Sequence, residues 1–104
     1  MSLDKQRFGL KESVIQKINA VFSDYSDLEK AVIYGSRAKG NYRNGSDLDI
    51  TLFGHLTDEQ LNRIAAQLDH LLLPYTIDLS LYQYINTPDL IAHIERFGQI
   101  FYQK

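Results

Sequence analysis

The segment Asp47-Leu48-Asp49-Ile50-Thr51-Leu52 alternates polar and apolar residues without a break. Such alternation has the period of a β-strand and not of a helix. Leu48, Ile50 and Leu52 face a core; Asp47, Asp49 and Thr51 face away from it. The strand therefore sets two carboxylates on one side. Like charges this close repel, and one tends to hold its proton. A bound cation removes that penalty. Carboxylate oxygens are hard ligands suited to Mg²⁺ or Mn²⁺, and Mg²⁺ is commonly held by one or two carboxylates together with substrate phosphates. An isolated Asp-x-Asp is more often a solvated strand face, so the residues upstream decide its meaning.

Upstream, Ala31-Val32-Ile33-Tyr34 is a short apolar run ending at Gly35, which reads as a buried strand entering a tight turn. Ser36 offers a hydroxyl and a backbone N–H at the start of a short helix, where anions are favoured. Arg37 and Lys39 add positive charge. The spacing of Gly35 and Gly40 imitates a Walker loop, but Asn41-Tyr42 follow where Lys-Ser/Thr is required, and no Gly-x-Gly-x-x-Gly occurs. Downstream, residues 75–82 read as another strand. Tyr75, Ile77, Leu79 and Leu81 lie on one face; Thr76, Asp78, Ser80 and Tyr82 lie on the other. If that strand lies beside the first in register, Asp78 joins Asp47 and Asp49. Three carboxylates can hold two metals, or one metal plus a base for a hydroxyl nucleophile.

Gly35-Ser36, ten intervening residues, Asp47-x-Asp49 and a later Asp78 together resemble the DNA polymerase β-like nucleotidyltransferase superfamily. The run Gly35-Ser36-Arg37-Ala38-Lys39-Gly40 followed by Ser46-Asp47-Leu48-Asp49 is similar to the minimal nucleotidyltransferase domain, its small prokaryotic branch. The resemblance spans nearly the whole chain and implies that superfamily's fold. It implies that Gly35 and Ser36 contact the β- and γ-phosphates, with Arg37 as a further phosphate contact. It implies that Asp47 and Asp49 ligate metal, and that Asp78 binds the catalytic metal and helps deprotonate the acceptor. ATP or another NTP is then the donor and Mg²⁺ or Mn²⁺ the cofactor. Similar small proteins are often encoded beside a HEPN-domain partner, as an antitoxin beside its toxin, and some are thought to transfer AMP to a tyrosine of that partner.

At 104 residues the chain is expected to be one domain, 1–104. It has no cysteine, hence neither a disulfide framework nor a thiolate metal site. Met1 to Phe8 is polar, without a signal-peptide apolar segment, and no apolar run has transmembrane length. A cytoplasmic location with no membrane contact is the expectation; Met1-Ser2-Leu3 reads partly as an expression remnant. The formal charge of -2 argues against a surface for extended nucleic acid. A small anionic substrate fits Arg37, Lys39 and Arg43 better.

A first helix is expected from about Leu10 to Phe22, with Val14, Ile15, Ile18, Val21 and Phe22 as its apolar stripe. A second begins near Thr57, where Thr57 and Gln60 form a capping-box pattern, and buries Leu61, Ile64, Ala65, Leu68, Leu71 and Leu72 before Pro74. The last starts with Thr87 as N-cap and Pro88 at its first position, and ends at Gly98. Gln99 to Tyr102 could add an edge strand. The resulting expectation is an α/β (α+β) domain: a small mixed sheet with helices mainly on one face and the carboxylate face open to substrate. His55, His70 and His93 lack ligand spacing and read as surface or cap residues; Tyr42 is a weak candidate for stacking on a base.

The leading functional expectation is transfer of AMP from ATP to a hydroxyl of a partner protein. The alternatives are an antitoxin acting by occlusion alone, and nucleotidyl transfer to a small molecule such as an aminoglycoside. The last lacks a second domain to hold the acceptor, unless a homo-oligomer supplies it.

Overall fold

Four strands form the sheet that carries the alternating segment, in the computed structural model, which describes residues 6–104. The expectations for Met1-Ser2-Leu3 and for most of the polar start lie outside those residues. The elements in chain order are β1 (Gln6–Arg7), β2 (Leu10–Lys11), α1 (Glu12–Phe22), β3 (Leu28–Tyr34), α2 (Ser36–Lys39), β4 (Leu48–Gly54), α3 (Asp58–Asp69), β5 (Ile77–Leu81), a 3₁₀ turn (Tyr82–Tyr84), α4 (Pro88–Phe97) and β6 (Gln99–Gln103). The main sheet has the order β5-β4-β3-β6. β3 is antiparallel to β4 and to β6, while β4 and β5 are parallel and joined through α3. The mixed sheet expected from the sequence is present, and Gln99–Gln103 forms one of its two edge strands.

One face of the sheet holds the core. Leu48, Ile50 and Leu52 of β4 and Ile33 of β3 pack with Ile15, Ile18 and Phe22 of α1 and with Ile64 and Leu68 of α3. The helices are amphipathic as their spacing predicts, and α3 begins with the complete reciprocal capping box of Thr57 and Gln60. Two helix boundaries differ from expectation. α1 starts at Glu12, not Leu10, because Phe8 and Gly9 turn with positive φ and pair Arg7 with Leu10 in a small hairpin. α3 ends before Leu72, which is 88% exposed with φ of 54° and so takes no part in the buried stripe. The chain has to leave the helical conformation ahead of Pro74.

The second face is not left bare. α4 packs against β3 on this side, burying Ile94. Thr51, expected to be exposed beside the two aspartates, is fully buried: its register neighbours are Val32 and Ser80, and the Ser80 hydroxyl donates to Thr51 Oγ1 at 3.0 Å. Thr87 stands at the α4 N-cap position, but its side chain accepts no capping hydrogen bond there. Among the described residues, no helix is long and apolar enough to cross a membrane.

Candidate active site

Strand register places the aspartates. Asp49 on β4 lies directly opposite Tyr34 on β3 and directly opposite Asp78 on β5. Directly opposed residues share a face, so Tyr34, Asp49 and Asp78 form one row across three strands. The next row is Val32, Thr51 and Ser80. The parallel pairing is extended by the Leu48 N–H donating to the Thr76 carbonyl at 2.9 Å, which fixes the start of both strands. Asp47 immediately precedes β4 and is exposed, as is Asp78; Asp49 is half-buried.

These charges act on one another. The Asp49 carboxyl is pushed above the usual range by burial first, then by the negative charges of Asp78 and Asp47, while His93 opposes the rise. Among the described residues no three His, Cys, Asp or Glu side chains converge as a ready-made ligand set. Asp47, Asp49 and Asp78 nonetheless lie near enough for their charges to act on one another. The donor set is all oxygen, which suits a hard divalent ion whose remaining ligands come from phosphate and water.

Gly35 joins β3 to α2 with φ of 77° and ψ of -155°, a conformation reserved in practice for glycine. A β-carbon there would strike Asp49 Oδ2, so the turn and the carboxylate touch. The Gly35 N–H donates to His93 Nε2 at 3.0 Å. Ser36, half-buried, follows at the start of α2. The structure thus brings Gly35, Ser36, Asp49 and Asp78 to one end of the sheet face, with Asp47 at its rim.

Arg37 is placed differently from the other residues singled out in the sequence. It is only 3% exposed. Its Nε donates to the Ser46 carbonyl at 2.9 Å and its Nη1 to the Phe8 carbonyl at 2.8 Å. The rings of Tyr42 and Tyr75 each lie 5.1 Å from the guanidinium carbon. Tyr42 itself packs against Arg37 and Gly9. In this arrangement Arg37 clamps the loop between the glycine turn and β4. Replacing Arg37 by Ala is expected to cost about 3 kcal/mol, because two half-buried carbonyls lose a charged donor and the packing of a buried side chain is lost. Arg37→Lys rescues little, since a point charge cannot bridge both carbonyls. Urea unfolding measures this. An unchanged midpoint together with weakened nucleotide binding would instead make Arg37 a phosphate ligand.

Two residues of the site carried little or no sequence signal. His93 comes from α4, 58 residues after the amide it binds. Tyr34 read only as a strand residue. Burial pushes its hydroxyl up, a hydrogen bond with Ser80 works against that, and the charges of Asp49 and Asp78 add to the rise. Tyr34 therefore stays a neutral phenol beside the carboxylates. The pattern of β3, its last side chain facing away from the core, was the one hint available.

A glycine turn beside paired carboxylates, on one face of a β5-β4-β3-β6 sheet backed by α1 and α3, is the arrangement of a small nucleotidyl-transfer domain. The chain belongs to the polymerase beta nucleotidyltransferase family, whose pattern matches residues 16–104; it is a nucleotidyltransferase. No curated protein matches it in sequence. Solved structures share its fold. A chain of a toxin–antitoxin structure with AMP-PNP superposes with a TM-score of 0.68 at 21% identity, over 91% of this chain and 75% of that one. A chain of the tri-AMPylated Shewanella oneidensis HEPN toxin in complex with MNT antitoxin gives 0.65 at 18% identity, over 89% and 72%. A putative nucleotidyltransferase from Sulfolobus solfataricus gives 0.50 at 20% identity, over 99% and 94%.

Proposed function

We propose that this protein transfers AMP from ATP to a hydroxyl of a partner protein, a tyrosine of a HEPN-domain toxin, and acts in the cytoplasm as its antitoxin. The observation that carries the reading is the direct register of Asp49 with Asp78 beside the Gly35 turn. Fold likeness to a chain from a complex of an AMPylated HEPN toxin with an MNT antitoxin supports the choice of partner. The net charge of -2 favours a protein acceptor over a nucleic-acid strand.

Asp47, Asp49 and Asp78 would hold Mg²⁺ or Mn²⁺. Such an ion, when bound, neutralises charge on the phosphates and on the acceptor and leaving oxygens. Gly35 and Ser36 orient the β- and γ-phosphates so that the α-phosphorus faces the carboxylate row. Asp78, exposed at the outer end of that row, takes the proton of the acceptor hydroxyl. The acceptor oxygen bonds to the α-phosphorus, the bond to the bridging oxygen breaks, and pyrophosphate leaves with the electron pair. Arg37 contributes by holding the loop between the glycine turn and β4.

The test uses ATP labelled at the α-phosphate, Mg²⁺ and a HEPN-domain partner. Label is expected on a partner tyrosine and lost when Asp47 and Asp49 are both replaced by Asn. If the double variant silences the toxin as fully as the wild type, the antitoxin acts by occlusion and the catalytic reading falls. Label on a small molecule such as an aminoglycoside, and none on the partner, would replace the acceptor.

A further inference from the structure

The geometry points to His93 as a positioning residue that holds the Gly35–Ser36 turn in its nucleotide-receiving shape. This deepens, and rests on, the reading that the turn takes nucleotide phosphates. Glycine enters backbone angles like those of Gly35 at little steric cost and leaves them as easily, so its surroundings decide whether they persist. His93 is one of those surroundings. Its Nε2 accepts the Gly35 N–H at 3.0 Å, so the lone pair of that nitrogen faces the turn. The ring cannot easily swing away. Tyr34 meets it edge-on with centroids 6.2 Å apart, and Phe97 lies 5.2 Å from it on the same helix.

The rest of the α4–β6 segment grips the same turn. Lys39 Nζ sits 5.1 Å from the Phe97 ring centroid, and Gln99 Nε2 donates to the Ala38 carbonyl at 2.7 Å. Arg37 ties the far side to Phe8 and Ser46. Of these contacts, only that of His93 reaches Gly35 itself, at the point where the turn meets Asp49. Removing it frees the peptide to rotate while leaving the other anchors in place. The loss falls on nucleotide binding more than on the chemical step, because the hydrogen bond of His93 goes to the backbone of the turn that receives the phosphates.

Titration of ATP with Mg²⁺ into wild type, His93→Leu and His93→Gln, with no acceptor present, tests the inference. His93→Leu is expected to weaken ATP binding about tenfold, and His93→Gln to restore most of it, since the Gln amide oxygen reaches the place of Nε2. In steady-state assays the same variants should raise KM for ATP with kcat changed by less than about threefold. The Gly35 amide should exchange with solvent faster in His93→Leu, a readout independent of nucleotide. Equal ATP affinity in wild type and His93→Leu overturns the role of His93 and leaves the nucleotide site standing. Absence of ATP binding by the wild type overturns both. Should His93→Leu fail to fold, His93→Gln decides through the Gly35 amide: fast exchange together with wild-type affinity removes the inference, and retained protection supports it.

Discussion

Replacing Asp49 by Asn should lower turnover on the order of a thousandfold or more and leave the unliganded protein at least as stable as before. The two effects have one cause. Asp49 sits between Asp78, its register partner, and Asp47, and is the more buried of the three. Its carboxyl is therefore raised above the usual range. A raised carboxyl means that ionisation is easier in the unfolded chain than in the folded one. The folded state then bears a penalty that sets in as pH rises through the ordinary carboxylate range and grows until pH passes the raised position of the folded carboxyl. Below that range Asp49 is protonated in both states and the penalty vanishes. Asn removes it throughout. Thermal melts of wild type and Asp49→Asn should accordingly differ at pH 7 in favour of the variant and converge in acid. A variant that is less stable at pH 7, or that keeps near-normal turnover, would sink the assignment of Asp49 as a carboxylate awaiting its cation. Added Mg²⁺ with ATP should reverse the order of stability, since only the wild type gains from binding.

The Gly35→Ala substitution should damage both fold and activity. The backbone angles alone cost roughly 1–3 kcal/mol with a β-carbon present. That carbon also meets Asp49 Oδ2, so the carboxylate must move or the turn must open. A displacement near 1 Å at a reacting centre lowers turnover on the order of a hundredfold. Gly40→Ala provides the comparison. Gly40 also has a positive φ, but a β-carbon there meets nothing within 4 Å. It should cost about 1 kcal/mol in urea unfolding and leave turnover close to wild type. Equal turnover in the two variants would show that contact with Asp49 is immaterial.

The elements that place the site were legible because their signals are local. The alternation of Asp47 to Leu52 and of Ile77 to Leu81 marks two strands, and Thr57 with Gln60 marks the start of the helix between them. Register is not local. That Asp78 falls opposite Asp49, and not two residues to either side, depends on the length of α3 and on how the chain leaves it near Leu72 and Pro74. Arg37 shows the opposite difficulty. Beside Gly35 and Ser36 in sequence it looks like a phosphate contact, yet the carbonyls of Phe8 and Ser46 draw it into the protein. Those partners are loop backbone atoms, which carry no residue-type signature. His93 was invisible for a related reason. Its role exists only once α4 folds back over β3, and a histidine without ligand spacing gives no hint of an acceptor aimed at a distant amide.

The parallel pairing of β4 with β5 makes the facing carboxylates of Asp49 and Asp78 a vernier of sheet alignment. Side chains alternate faces at every residue, so sliding β5 by one position would bring Leu79 or Ile77 to the place of Asp78 and turn Asp78 toward the core. There is no half-active intermediate setting. A residue inserted within 70–75, ahead of the Thr76 carbonyl that Leu48 holds, can be absorbed by the connection, whereas one inserted within 78–80 cannot. Insertions scanned along this stretch would trace the boundary between tolerant linker and aligned strand by whether activity survives.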